Sequence, residues 1–316
     1  MTEPSPRSGS RRSYRREARW AFAVVALAAL GLAIADQGPK LGDALARTGV
    51  AAVVVSQLAV LAGLLASAFC WRALLAALGS PMPARLSLHV FFVGQIGKYL
   101  PGNVFAVAAQ AELARDHGVP RSRIVTAGLV FLGVLTTTGL LVAVAVLPFA
   151  SPEVLRRYAW ALLALPFGIA ALIPRVLDRL VRIALRVARR PAPDQPLSPV
   201  RLLESVAWAL LMWACYGLHL VPLVLAQPHT SGRSVLLVSI GAYALAWTAG
   251  FLFVIAPAGA VIREAVLVLA LAGTAHRPEA TAVALLSRGV QTFGDLLWAV
   301  VGFALRQRPP PDVAAR

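Results

Sequence analysis

Acidic side chains are scarce in this chain. It has 14 Asp and Glu in 316 residues, against 30 Lys and Arg, and only 14% of its residues are charged. A soluble globule of this length needs more charge than that to cover its surface. Few carboxylates also means little material for metal or general acid–base chemistry, and neither a D-x-D nor an H-x-x-x-H pair occurs. Cysteine is nearly absent. Cys70 and Cys215 sit inside apolar runs, without metal-like spacing to another Cys or His, and read as small buried thiols. No metal site and no cofactor are expected. The chain also lacks a G-x-x-x-x-G-K-[ST] loop, so nothing points to ATP.

What is present is apolar. Hydrophobic residues make up 59% of the chain, and the mean hydropathy is +0.73. Several runs exceed the ~18–20 residues that span a bilayer. The fold expected is all-α, a polytopic helical membrane protein. A net charge of +16 in a soluble protein would suggest nucleic acid. Here the basic residues lie mostly between apolar runs, so topology accounts for them and no nucleic-acid partner is expected.

Six full spans are expected, at 20–35, 50–75, 122–148, 158–173, 202–226 and 281–305. A basic arm over 1–19 and a tail over 306–316 are expected to be disordered. SRRSYRR (10–16) resembles a twin-arginine export signal, and Ala33-Ile34-Ala35 resembles a cleavage site. A retained anchor is the preferred reading; cleavage of 1–35 stays open.

Two further regions are interrupted. Residues 86–117 break at Pro101-Gly102, within GQIGKYLPGNVF (94–105), and 235–274 break at IAPAGAV (255–261). Proline inside a helix removes a hydrogen bond and clashes with the preceding turn. In lipid such a break survives only where protein or a watery cavity satisfies the freed backbone. Each region is expected to be a re-entrant helical hairpin. GQIGKYLP (94–101) aligns with GFLFVIAP (250–257), and a long span follows each, so span, broken hairpin and span repeat. With both termini in the cytoplasm, 21 of the 30 Lys and Arg fall inside, six outside and three at membrane depth. The hairpins then enter from opposite faces, and the halves (20–173 and 200–305) form an inverted repeat in a cell membrane, a transporter pattern.

Between the halves lies segment 174–199. In PRVLDRLVRIALRVARR (174–190), Arg175, Arg179, Arg182, Arg186 and Arg189 share one helical face, opposite Val176, Leu180, Ile183 and Val187. Two readings remain: a basic amphipathic helix on the anionic inner leaflet, or ordinary positive-inside charge. Residues 191–199 read as a Pro-rich linker.

Ionisable groups at membrane depth default to function or to mutual pairing. They are Lys98, Arg263, Glu264, Arg288 and Asp295, accompanied by Gln95, Asn103, Gln110 and Gln291. Arg288, Gln291 and Asp295 recur at i, i+3 and i+7 on one face of the last span. Pro101, Gly102 and Asn103 mark the first break, Pro257 and Gly259 the second. Three cations against two anions suit a cavity for an anionic head group, because guanidinium binds two phosphate oxygens at once. Free helix N-termini beyond the breaks would add N–H donors. The competing reading is a salt-bridge network that only locks helices together.

GKYLPGNVF (97–105) and PAGAVIREAVLVLALAG (257–273) resemble the two signature regions of the lysylphosphatidylglycerol synthase transmembrane-region family. The second family signature resembles P-G-G-x-G-x-R-E. Pro257, Gly259, Arg263 and Glu264 match it, while Ala258 and Val261 stand where the pattern has glycine; Arg288 is similar to a downstream Arg of the family. The resemblance implies a flippase-like protein that binds an anionic phospholipid, glycolipid or polyprenyl-phosphate sugar and could move it across the bilayer. Members that make aminoacylated lipids carry a soluble transferase domain after the membrane part. This sequence ends at Arg316, so such synthesis is not expected and a non-enzyme is the preferred reading. The alternatives are a membrane glycosyltransferase or an accessory subunit beside envelope-biosynthesis enzymes. The positions matching Arg288 and Asp295 in the first half fall near Phe131 and Gly139, so two equivalent charged sites are not expected.

Overall fold

A computed structural model describes residues 45–99, 104–115, 117–150, 152, 155–156, 159–187, 196–230, 234–252 and 261–306. Helix is the only regular structure among them, as the composition requires in lipid, where each segment must satisfy its own backbone. Helix α1 runs Val50–Ala77, and α2, Ala84–Gln95, tightens into a 3-10 turn, Ile96–Tyr99. Then come α3 (Val104–Arg115), α4 (Arg121–Val146), a 3-10 turn (Ala159–Ala164), α5 (Leu165–Leu172) and α6 (Pro174–Val187). The second half holds α7 (Pro199–Leu225), α8 (Val235–Leu252), α9 (Ile262–Leu271) and α10 (Arg277–Ala304).

Four of these segments are long and apolar enough to cross a membrane: Val50–Ala77, Arg121–Ala150, Pro199–Leu225 and Val235–Leu252. The last was read from sequence as one arm of a hairpin. Its 18 residues give ~27 Å at ~1.5 Å per residue, close to a ~30 Å hydrocarbon core. The partner arm α9 has only 10 residues, so the second broken region is lopsided where the first has arms of 12 and 12. Helix α10 has 28 residues, ample for a crossing, but its charges keep its composition below that of a plain span. The breaks at Pro101, Gly102, Asn103, Pro257 and Gly259, the arm, the first apolar run and the tail lie outside the described residues.

The segment Ala159–Leu172 meets α6 at an angle of 80°. Four of the arginines of α6 are described, and each would cost about 2.5–3.5 kcal/mol at the centre of a membrane helix. By length and composition the bent pair is a broken span or a re-entrant segment, not the straight span over 158–173 expected from sequence.

Helices α1 and α7 pack along each other over their whole length and form the centre. Around them the packing repeats. Helix α2 lies on α10 as α8 lies on α4, α2 pairs with α3 as α8 pairs with α9, and α3 touches α4 as α9 touches α10. Trp71 of α1 and Trp213 of α7 are both fully buried. Large apolar side chains such as Leu58, Leu225, Phe293 and Val300 are exposed, the distribution lipid demands rather than water. Helix α1 ends in a Schellman turn: Gly79 takes φ 75°, and Ser80 N–H donates to the Leu75 carbonyl at 2.9 Å. Arg123 covers the same end, donating to the carbonyls of Leu78 and Gly79 at 3.0 and 2.8 Å.

The first hairpin is held shut at Gly97. A Cβ there would lie 2.8 Å from the backbone nitrogen of Ala106, which cannot move aside as a side chain could. Gly133, in the middle of α4, faces open space. We expect Gly97→Ala to destabilise the protein by about 1–3 kcal/mol through overpacking. Gly133→Ala should be neutral or stabilising by about 0.5–1 kcal/mol. Thermal unfolding of both variants in one detergent checks the pair; equal midpoints would contradict this close approach.

Candidate functional site

The charged residues of the membrane interior meet on α10. Seven residues separate Arg288 from Asp295, about 10 Å along the axis, so each faces a different hairpin. At the upstream position Arg288 Nη1 donates to Glu264 Oε1 of α9 at 2.5 Å, and each side chain is 18% exposed. At the downstream position Asp295 Oδ2 takes Lys98 Nζ at 2.6 Å and the hydroxyl of Tyr99 at 2.7 Å. Lys98 and Tyr99 both belong to the 3-10 turn after α2. Arg288 and Asp295, on one face of the last span by sequence, are not each other's counter-charge. A separation of i, i+7 is too long for a direct pair, and each residue finds its partner on a hairpin instead.

Arg263 is placed differently from the other two cations. Its guanidinium lies over the ring of Tyr243, 4.7 Å from the centroid, and hydrogen-bonds the Tyr243 hydroxyl. Gln291 Nε2 donates to the same hydroxyl. Among the described residues, no carboxylate lies within salt-bridge distance of Arg263. Tyr243 was not singled out from the sequence, nor was the role of Tyr99. The available signal was a tyrosine inside an apolar run, since a buried phenol needs a partner for its hydroxyl.

Arg263 and Lys98 line one cavity of about 150 Å³. Gln95, Gln110, Ser67 and Tyr216 add polar groups to its wall, and Phe131, Trp247 and Phe251 add aromatic faces. At ~30 Å³ per water the space equals about five waters, enough for a phosphate-sized group but not for acyl chains. Arg288, Glu264, Gln291 and Asp295 stand behind the wall. They hold the elements that carry Lys98 and Arg263 and do not line the space themselves.

The profile of the lysylphosphatidylglycerol synthase TM region matches residues 20–299. The chain belongs to that family. No curated protein matches it. As a member of the lysylphosphatidylglycerol synthase transmembrane-region family it is a multi-pass membrane protein, tied by that family to lipid synthesis or flipping. Among the described residues no cluster of His, Cys, Asp and Glu is placed to hold a metal. His219 and Ser287 stand 2.9 Å apart, the spacing of a base and a nucleophile, but they are 0% and 1% exposed and lie outside the cavity.

The start of α9 departs from the glycine pattern that the family signature resembles, and the backbone registers it. Val261 caps the helix at φ 72°, ψ −52°, and it is the one non-glycine residue with positive φ among the described residues. This is the strained γ-turn region, and a β-branched side chain suits it poorly. Arg263 and Glu264 follow within one turn, so the strain sits at the neck of the site.

Two expectations follow from this geometry. Arg288→Gln alone should cost about 3–5 kcal/mol by stranding Glu264, whose Oε2 is already buried without a hydrogen-bond partner among the described residues. Arg288→Gln with Glu264→Gln should recover most of that in thermal unfolding; no recovery would mean that the pair is not the coupled unit. Val261→Gly should raise the midpoint, because relief of about 1–3 kcal/mol of strain exceeds the ~0.5–1 kcal/mol of extra chain entropy. Val261 is 76% exposed, so little packing is lost. A lowered midpoint would count against the strain.

Proposed function

We propose that this protein binds the anionic head group of a membrane lipid at the Arg263–Lys98 cavity and carries it across the bilayer. The observation that carries the reading is Arg263, a cation on the cavity wall with no described carboxylate partner. The five ionisable residues of the interior leave a net charge of one positive unit, since Glu264 and Asp295 answer only two of three cations. A phosphate entering the cavity would complete the balance, and the planar guanidinium suits two phosphate oxygens. Chains of the lipid would stay outside, against the exposed apolar flanks of Phe105, Leu129 and Leu252.

The packing repeat supports movement by an alternating mechanism. Each hairpin rests on one long helix of the other half, and each is tied to α10 by one ion pair. In this reading the halves are inverted, the termini lie in the cytoplasm of a cell membrane, and α10 is the post past which the hairpins move. Lipid classes with a phosphate next to the membrane surface fit: phospholipids, glycolipids with a phosphate link, and polyprenyl-phosphate sugars.

The test is reconstitution of the full chain in vesicles that carry a fluorescent anionic phospholipid, with bleaching of the outer leaflet as readout. Arg263→Gln should slow movement tenfold or more, because a hydrogen bond to a charged group contributes about 1.5–3 kcal/mol. The same variant should unfold at nearly the parent temperature, since the buried ion pairs remain. Parent-like movement by Arg263→Gln would remove the assignment. A new lipid product would favour the transferase reading instead.

A further inference from the structure

The basic helix α6 carries a surface separate from the cavity. Successive residues turn by about 100°, and the chain divides into three stripes, not the two faces read from sequence. Leu177, Val181 and Leu185 are buried, at 9%, 7% and 4% exposure, and hold the helix to the bundle. Val176, Leu180, Ile183 and Val187 are exposed, at 37%, 45%, 45% and 81%. Arg175, Arg179 and Arg186 form the third stripe. They are exposed and, among the described residues, have no carboxylate within salt-bridge distance. Arg182 is the exception on that stripe, donating to Asp178 at 2.9 Å. The other Asp178 oxygen accepts Leu197 N–H at 3.0 Å and fixes the returning chain beside the helix.

We infer that α6 lies in the headgroup layer of an anionic leaflet, with its exposed apolar stripe in the acyl boundary and its arginine stripe on lipid phosphates. Three observations select this occupant. The segment that leads into α6 exposes Trp160, Leu163 and Phe167 at 69%, 72% and 78%, so α6 begins where a lipid-facing surface ends. The 80° turn there sets α6 across that segment, as an interfacial helix requires. The exposed apolar stripe adjoins the basic one. A nucleic acid or an acidic soluble protein would neutralise the arginines and leave four large aliphatic side chains in water, whereas a lipid surface satisfies both stripes together.

The experiment uses the full chain in nanodiscs of phosphatidylcholine with or without phosphatidylglycerol. Single cysteines at Arg179→Cys, Leu180→Cys and Ile183→Cys, in a Cys70→Ala/Cys215→Ala background, carry an environment-sensitive dye. Dyes at 180 and 183 should be quenched by lipids spin-labelled near the glycerol, and the dye at 179 by aqueous iodide. Equal iodide quenching at all three positions would overturn the placement and leave a soluble partner as the occupant. Arg175→Gln/Arg179→Gln/Arg186→Gln should lose a preference for phosphatidylglycerol of about fivefold per arginine; an unchanged preference would overturn the role of the charges. Should the cysteine-free background fold poorly, hydrogen exchange on the native chain reads the same point. Amides 175–187 should exchange more slowly when phosphatidylglycerol is present, and no difference would overturn the proposal. None of these outcomes depends on whether the cavity binds or moves a lipid.

Discussion

Two ion pairs, Lys98–Asp295 and Arg288–Glu264, fasten both hairpins to one helix, α10, and the arrangement of the interior depends on them. The reason is the solvent. An isolated charge at the centre of a membrane helix costs about 2.5–3.5 kcal/mol, and five of them without partners would exceed the whole stability of many domains. Pairing settles four of the five. It also fixes where the hairpins stand, because a buried pair broken on one side is far less stable than one left intact. The fifth charge, Arg263, is held by a tyrosine ring and a hydroxyl instead of a carboxylate. A ring face steadies a cation without cancelling its charge, so Arg263 keeps its attraction for an anion while remaining fixed in place.

That division of labour separates the residues that make the cavity from those that make it possible. Lys98 belongs to both groups, with its side chain 31% exposed on the wall while it pairs with Asp295. An incoming anion would compete with Asp295 for Lys98, and the hydrogen bond from Tyr99 would still hold the carboxylate. The first hairpin therefore has a tether that survives exchange of one partner. The second is tied to α10 by Arg288 donating to Glu264 and by Gln291 donating to Tyr243, and it carries a strained residue at its neck, Val261. The two hairpins resemble each other in outline and differ in which side chains hold them.

The sequence made the class and the charged positions legible, because each leaves a strong local mark: long apolar runs, and charge where lipid forbids it. The pairing of α2 with α3 and of α8 with α9, each packed on a long helix of the other half, follows a similar pattern. The pairing was not legible. Which carboxylate meets Arg288 depends on how α9 lies against α10, a relation between segments that no spacing within one helix contains. Tyr243 was missed because a tyrosine in an apolar run has no charge to make it conspicuous, although its hydroxyl receives both Arg263 and Gln291. The stripes of α6 were half legible. Periodicity separated basic from apolar residues, but only the docked helix divides the apolar ones into a set against protein and a set left open.

Arginine thus occupies two opposite environments in this chain, and the contrast explains the distribution of charge. Inside, Arg263 and Arg288 are each held by a side chain from another helix, and two of the three cations are balanced by carboxylates. On α6 the arginines, apart from Arg182, stand in a row without carboxylate partners among the described residues. A row of like charges repels itself, and an exposed pair would have lowered that repulsion at little cost. With only 14 acidic residues to place, the chain uses Glu264 and Asp295 where burial makes pairing compulsory. It leaves most of the row on α6 uncompensated, where water or lipid phosphate can serve as the counter-charge. Both interior carboxylates are thus paired, and the unpaired arginines of α6 stay at the surface, where an anionic leaflet would turn repulsion into attachment.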